Sequence, residues 1–295
     1  MNQVYRTPEA RFEGLPDFDF EPRYQEVSGL RLAYLDEGRG EPVVFLHGEP
    51  TWSFLWRKVI PGVRDAGHRC IAPDLAGFGR SDKPLDLAWY SYDRHTELVA
   101  ELLGGLGLEG ATLVVHDWGG PIGMRVAVEH PELVAGMVLL DTGLFTGEQR
   151  MSDAWLRFRD FVERTDDLPV GLLVRRACFY DPGDQVAAAY DAPFPEPAAK
   201  AGAKAFPLLL PLTPDAPGAA AGRRTLEALR RDQRPMLLVW AEDDPVLPPA
   251  AGEALAHALQ RASPLRLPDC GHFLQEDSGP DIAILIAEWL SSSLA

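Results

Sequence analysis

The chain has few cysteines and no long apolar run. Its three cysteines, Cys70, Cys178 and Cys270, lie far apart and form no C-x-x-C pair, so the sequence predicts neither a disulfide framework nor a zinc site. No uninterrupted apolar run approaches the roughly 18 residues of a membrane span, and the N-terminus lacks the apolar core of a signal peptide. These absences predict a cytoplasmic protein without a membrane segment.

Positive charge is also scarce. The sequence holds 28 lysines and arginines against 44 acidic residues, which gives a formal net charge of -16. Nucleic acid requires a basic surface, so a nucleic-acid partner is excluded.

At 295 residues and 46% hydrophobic, the chain can bury a full core as one large domain or as a domain carrying an insertion. We expect a compact monomer or homodimer.

Short apolar segments alternate with helical patterns over most of the chain, after a β-hairpin predicted at residues 23–36. Six runs are typical of parallel strands buried on both faces: PVVFLHG (42–48), HRCIAPD (68–74), ATLVVHD (111–117), GMVLLD (136–141), PMLLVWA (235–241) and SPLRLPDC (263–270). Helical patterns lie at residues 52–66, 93–107, 119–130, 251–261 and 280–293. The alternation predicts an α/β fold with a mostly parallel central sheet and helices on both faces.

This alternation stops between about residues 147 and 230, where proline is dense and punctuates short helices and turns. We interpret the segment as a helical insertion after the fourth parallel strand. Such an insertion would lie as a cap over the carboxyl edge of the sheet, where open α/β sheets bind ligands. The sequence therefore predicts a main domain of residues 1–146 and 222–295 and a cap domain of residues 147–221.

A candidate nucleophile lies in TLVVHDWGGPIG, residues 112–123. Val115, Asp117 and Gly119 occupy the places of a G-x-S-x-G strand-to-helix turn, with valine where a small residue is usual. A carboxylate at the tip is ionised at neutral pH and needs no base to attack a saturated carbon, which would form an ester of Asp117. The alternative is an aspartate that only caps the following helix.

An ester of Asp117 must be hydrolysed, and DCGHF supplies His272 in the chain position of a hydrolase base. His272 would deprotonate a water that attacks the ester. AEDDPVLPP, which follows the strand at 235–241, offers Asp244 as the carboxylate that orients the histidine. Asp141, at the end of the preceding strand, and Asp243 remain the alternatives.

Two further groups would complete the site. FLHGEPTWSFLW (45–56) ends a strand and turns into a helix, so the backbone N–H groups of Glu49 and Trp118 could form an oxyanion hole. The indole N–H of Trp118 donates and cannot accept. It therefore suits a leaving halide, which carries no proton.

Several motifs in order resemble those of haloalkane dehalogenases of the α/β-hydrolase fold: HGEPTWSFLWRKVIP, APDLAGFGRSDKP, VVHDWGG, AAYDAPFP and DCGHFLQED. The branch whose acid lies in the late loop is the most similar. The resemblance implies Asp117 as nucleophile, His272 as base and Asp244 as acid, with no cofactor and no metal. It also implies Trp118 as a halide ligand and Glu49 as a backbone donor that helps to hold the hydrolytic water.

The motif leaves two candidates for the second halide ligand. The resemblance implies a cap tryptophan in a helix written aromatic-x-x-Trp, but DAWLRFRDF has Trp155 first and Phe158 in the expected tryptophan place. Because residues i and i+3 share one helix face, Trp155 and Phe158 both stay candidates for the halide contact.

The predicted function is hydrolytic dehalogenation, in which a small apolar haloalkane and water give an alcohol, a halide ion and a proton. Epoxide hydrolysis by the same Asp, His and acid is the first alternative, and its leaving alkoxide would need a proton from a cap tyrosine such as Tyr180 or Tyr190. A non-catalytic protein that binds small molecules on the same fold is the second. The intact set of Asp117, His272 and Asp244 favours an enzyme.

Overall fold

The computed structural model describes residues 3–293 of the chain. Its strands are β1 Val4–Tyr5, β2 Arg23–Val27, β3 Leu30–Glu37, β4 Pro42–Leu46, β5 Arg69–Pro73, β6 Lys83–Pro84, β7 Ala111–Asp117, β8 Val134–Thr142, β9 Met236–Ala241 and β10 Leu265–Leu267. Its α-helices are α1 Ile60–Asp65, α2 Tyr92–Gly105, α3 Gly119–Glu129, α4 Asp153–Arg164, α5 Val170–Ala177, α6 Asp184–Asp191, α7 Ala201–Leu209, α8 Ala219–Arg231, α9 Pro249–Leu259 and α10 Leu274–Ser293.

Eight of these strands form one sheet in the order β10-β9-β8-β7-β4-β5-β3-β2, and β1 pairs with β6 apart from it. The six strands from β10 to β5 run parallel to one another. Strand β3 pairs antiparallel with β5 on one side and with β2 on the other. Strands β4, β7 and β8 are almost wholly buried, as expected where helices cover both faces of a parallel sheet. The predicted hairpin and the mostly parallel sheet are confirmed.

Two predicted helices differ from the structure. Residues 52–66 form a 3₁₀ segment, Ser53–Lys58, followed by α1, since Pro61 lacks an N–H and favours the first turn of a new helix. The last helix begins at Leu274 rather than near residue 280, and its backbone is not helical at Ser278. Pro280 cannot donate to the carbonyl of Glu276, which instead accepts from Nζ of Lys58 at 2.7 Å.

Helices α4 to α7 lie between β8 and α8 in the chain, and α8 packs against α3 and α9 beside the sheet. Helix α8 starts at Ala219, two residues before the predicted end of the cap domain at residue 221. The division into a main domain and a cap domain stays a prediction, and "cap" below means residues 147–218. Within residues 3–293 the structure contains no helix long and apolar enough to cross a membrane.

Candidate active site

The strand order brings the candidate residues to one edge of the sheet. Five neighbouring strands carry the candidate residues at or just after their carboxyl ends. In the order β10, β9, β8, β7 and β4, these residues are His272, Asp244, Asp141, Asp117 and Glu49. Parallel strands end at the same edge, so residues distant in sequence meet here.

Asp117 lies at the turn between β7 and α3. Its φ of 47° is in the left-handed region that few non-glycine residues adopt, as expected for a strained nucleophile turn. A Cβ atom on Gly119 would lie 2.2 Å from the carbonyl oxygen of Leu46. Glycine is therefore required at position 119, because α3 begins directly against the end of β4.

His272 joins two carboxylates. Its Nδ1 donates a 2.8 Å hydrogen bond to Oδ2 of Asp244, and its Nε2 lies 3.7 Å from Oδ2 of Asp117. Oδ1 of Asp244 accepts from the N–H groups of Val246 at 2.6 Å and Leu247 at 2.9 Å. Because both oxygens of Asp244 are engaged, the carboxylate holds the imidazole in one orientation and tautomer.

The charges of His272, Asp244 and Asp117 favour the ionised forms of the histidine and of Asp117. Burial lowers the pKa of His272, but the charges and hydrogen bonds of Asp244 and Asp117 outweigh burial and raise that pKa well above its ordinary value. Burial raises the pKa of Asp117, but His272 and the Trp118 backbone N–H lower it below its ordinary value. Asp117 is therefore ionised at neutral pH, as a carboxylate nucleophile requires.

Glu49 contacts Asp117 through its backbone. Its N–H donates a 2.7 Å hydrogen bond to Oδ1 of Asp117. Its side chain is buried, and Oε1 has no hydrogen-bond partner among the described residues. Burial and the charge of Asp117 raise the pKa of Glu49 well above its ordinary value. The fold therefore favours the protonated form of this carboxyl group.

Three carboxylates are candidates in the sequence for the contact with His272. Asp244 makes it, and Asp243 is exposed. Asp141 is buried within 4.8 Å of the contact atoms of Asp244 and His272, and its Oδ1 accepts from the N–H of Ala241 at 2.9 Å. Burial and the charge of Asp244 raise the pKa of Asp141 well above its ordinary value. The fold thus favours the protonated form of Asp141 beside Asp244.

His116 is a site residue that the sequence motif does not single out. Its Nε2 lies 2.8 Å from the carbonyl oxygen of His272, and because a carbonyl only accepts, Nε2 carries the proton. Burial, with the nearby His272, lowers the pKa of His116 to about 3. The neutral ring therefore supports the backbone of the histidine loop.

A cavity of about 220 Å³ opens above this group. Asp117, Glu49 and His272 lie at its base, and the cap contributes apolar side chains to its walls. These cap residues are Met151, Ala154, Trp155, Phe158, Leu173, Ala177, Pro207 and Leu210. The volume is below the roughly 300 to 1,000 Å³ of pockets for drug-sized ligands, so the cavity suits a small apolar molecule.

Trp118 and Trp155 both line the cavity and are nearly buried. Neither indole N–H donates a hydrogen bond to any residue within 3–293, whereas that of Trp52 donates to Ala189 and that of Trp240 donates to Leu247. Phe158 also lines the cavity, one turn further along α4. Two unpartnered indole donors therefore line the same cavity as Asp117 and His272, together with mostly apolar side chains and the exposed Arg176.

Comparisons with known proteins agree with this geometry. A family model described as the alpha/beta hydrolase fold matches residues 41–279. A haloalkane dehalogenase of Mycobacterium marinum is 44% identical over 294 residues, which cover 97% of this chain and 99% of that relative. Another, from Psychrobacter cryohalolentis, is 38% identical over 299 residues and 98% of each chain. The chain belongs to the haloalkane dehalogenases.

A solved structure extends the likeness to three dimensions. The tetrameric haloalkane dehalogenase DpaA from Paraglaciecola agarilytica matches with a TM-score of 0.89 at 36% identity, over 96% of this chain and 97% of that one. The α/β-hydrolase fold and the hydrolase class acting on carbon–halogen bonds, both expected from the sequence, are confirmed.

The cap tyrosines of this dehalogenase lie away from the cavity. Tyr180 is 56% exposed, and the hydroxyl of the buried Tyr190 donates a 2.6 Å hydrogen bond to Oε1 of Glu276. Neither tyrosine lines the cavity. A leaving alkoxide there would find neither tyrosine as a proton donor, which weighs against the epoxide hydrolase alternative.

Proposed function

We propose that the chain hydrolyses small haloalkanes through a covalent ester of Asp117. The observation that carries the proposal is one cavity holding an ionised carboxylate, a histidine–aspartate pair and two unpartnered indole donors. The carboxylate supplies a nucleophile for a saturated carbon. The indoles supply hydrogen bonds to an anion that needs no proton.

In the first step, Oδ2 of Asp117 attacks the carbon that carries the halogen. Oδ1 is held by the Glu49 N–H, so Oδ2 is the freer oxygen. The new C–O bond forms as the carbon–halogen bond breaks, and the halide leaves with the bonding electron pair. Trp118 and Trp155 would donate to the halide, and Phe158 would present its positive ring edge.

In the second step, water hydrolyses the ester. Alkylation removes the negative charge of Asp117, one of the two carboxylate charges that raise the pKa of His272. The imidazole can then give up its proton and act as a base. Nε2 would take a proton from a water held near Glu49, and the hydroxide adds to Cγ of Asp117.

The tetrahedral intermediate then collapses. Its negative oxygen would be held by the N–H groups of Glu49 and Trp118. The Cγ–O bond to the alkyl group breaks, and the alkoxide takes the proton from His272 and leaves as the alcohol. Asp117 regains a carboxyl group, and its proton passes to His272 and restores the imidazolium. The one proton released is the proton that His272 gave up after alkylation, so that haloalkane and water have become alcohol, halide and a proton.

The test is product analysis with purified protein. We expect halide release and acidification with 1,2-dibromoethane and 1-bromobutane, and no diol from styrene oxide. Diol without halide would overturn the proposal in favour of epoxide hydrolysis. The absence of both halide and diol, with the protein folded, would support the alternative of a non-catalytic protein that binds small molecules. Asp117→Asn serves as the control, because it keeps the shape of the site and removes the charged nucleophile.

Two further expectations belong to this proposal. The chain would act in the cytoplasm, and it would be a monomer or a homodimer, although the solved relative DpaA is tetrameric. Light scattering coupled to gel filtration would decide the assembly. A tetramer would contradict the expectation without affecting the proposed chemistry.

A further inference from the structure

One carboxylate connects the loop of the catalytic histidine to the cap. Oδ2 of Asp277 accepts 2.9 Å hydrogen bonds from the backbone N–H groups of Gly271 and Phe179. Oδ1 accepts from the N–H of Tyr180, also at 2.9 Å. Gly271 precedes His272, whereas Phe179 and Tyr180 belong to the cap. Asp277 therefore bonds both sides of the boundary between loop and cap.

The histidine itself contacts the same cap segment. The backbone N–H of His272 donates a 2.8 Å hydrogen bond to the carbonyl oxygen of Ala177. This bond joins the main chain of the loop to the last residue of α5. Ala177 and His272 both line the cavity. The position of the imidazole thus depends on the cap as well as on Asp244.

The histidine loop and the cap segment also touch at Gly271, where there is no space for a side chain. A Cβ atom on Gly271 would lie 2.3 Å from the carbonyl oxygen of Ala177 and 2.8 Å from the backbone nitrogen of Phe179. Only glycine allows the cap backbone to approach the loop this closely. The hydrogen bonds to Asp277 and the packing at Gly271 are independent observations of one contact.

We propose that Asp277 is a positioning residue that fixes the His272 loop against residues 177–180 of the cap and so controls ester hydrolysis separately from ester formation. The inference rests on the proposed function. Formation of the ester needs Asp117 and the halide donors, but not a base. Hydrolysis needs Nε2 of His272 at the water, and a misplacement of about 1 Å can cost about 100-fold in rate.

The test separates the two steps of the reaction. Asp277→Ala removes all three accepted hydrogen bonds. We expect steady-state turnover of 1,2-dibromoethane to fall by about 10- to 100-fold, with the rate of the first halide burst within about threefold of wild type. Intact mass during turnover should show the alkylated protein accumulating. Asp277→Asn, which retains one acceptor oxygen, should fall between wild type and Asp277→Ala.

Two variants guard against a merely structural effect. Asp281→Ala is the matched control, since Asp281 is an exposed residue of the same helix that accepts only from Ser278 within the described chain, and it should behave as wild type. Phe179→Pro removes one donor while Asp277 stays intact, and Cys178 already has the extended backbone required before proline. Phe179→Pro should lower the steady-state rate relative to the burst rate, as Asp277→Ala does, but by a smaller factor.

Equal loss of burst and steady-state rates in folded Asp277→Ala, or no loss of either, would overturn the inference. If Asp277→Ala does not fold, the same comparison applies to Asp277→Asn and Phe179→Pro. Failure of the proposed function looks different. In that case the wild type releases no halide and His272→Phe gains no alkyl mass.

Discussion

Glu49 holds Asp117 through its backbone and keeps its own carboxyl group buried beside the same carboxylate. The N–H of Glu49 lies 2.7 Å from Oδ1 of Asp117, and the charge of Asp117 is one reason why the pKa of Glu49 is raised, after burial itself. One residue thus supplies to the candidate site a fixed backbone donor and a carboxyl group whose pKa is raised. The side chain can be changed while the backbone donor stays.

Glu49→Gln should retain most of the activity, because glutamine keeps the backbone donor and matches a protonated carboxyl in charge and shape. We expect kcat within about tenfold of wild type. Glu49→Ala should lose more, because a lost hydrogen bond to the water costs about 1 to 3 kcal/mol. Halide release measures the activity of both variants. Glu41→Gln, at an exposed position, is the control. A Gln variant as impaired as the Ala variant would show that the ionised form is needed.

His272→Phe should trap the ester. The variant retains Asp117 and the halide donors but lacks the base, so alkylation proceeds and hydrolysis stops. Incubation with 1,2-dibromoethane should add one bromoethyl group to the intact mass, and peptide mapping should locate it at residue 117. The double variant with Asp117→Asn should remain unmodified. A folded His272→Phe without the added mass would refute the covalent route.

The two steps should differ in their dependence on pH. In the ester, Asp244 is the carboxylate that still raises the pKa of His272, and hydrolysis requires the neutral ring. Steady-state turnover should therefore rise with pH near neutrality, whereas the first halide burst, which needs only ionised Asp117, should stay flat. Asp244→Asn removes one supporting charge and should move the turnover profile to lower pH while lowering its maximum. A burst that follows the turnover profile would contradict this assignment.

Asp141 should make stability fall as pH rises. Its pKa is raised in the fold, so its contribution is complete below its unfolded pKa of about 4 and is lost as pH rises towards the folded value. In that window each proton bound only in the folded state changes the free energy of unfolding by about 1.4 kcal/mol per pH unit. Asp141→Asn should show a correspondingly shallower decline of the free energy of unfolding, measured with urea, as pH rises above about 4. Parallel curves for the two proteins would contradict a raised pKa of Asp141.

Trp155 should report halide binding. If its free indole N–H meets the ion, Trp155→Phe should weaken the affinity for bromide, measured by quenching of tryptophan fluorescence, by about 10- to 150-fold, the equivalent of one hydrogen bond to a charge. Phe158→Leu removes only a ring edge and should change the affinity less. Trp289→Phe, outside the cavity lining, controls for the loss of one fluorophore. Unchanged affinity in Trp155→Phe would leave Trp118 as the single indole donor.

Much of the fold could be predicted because the strands that build it are short apolar runs with distinct ends. The runs at 42–48, 111–117 and 136–141 correspond to β4, β7 and β8 within a few residues. The helix breaks near Pro61 and Ser278 were missed. At the second of these, the carbonyl of Glu276 accepts from the distant Lys58, a contact that no local periodicity contains.

The order of residue types along the chain determined the chemistry to be expected: a carboxylate at a strand-to-helix turn, a late histidine and a tryptophan beside the nucleophile. The tertiary structure decided which partners meet. It placed Asp244 rather than Asp141 or Asp243 against His272, and it joined the histidine loop to the cap through Asp277. The reason is physical: loops after neighbouring parallel strands converge at one edge of the sheet, and the distances between their side chains depend on packing that sequence spacing does not encode.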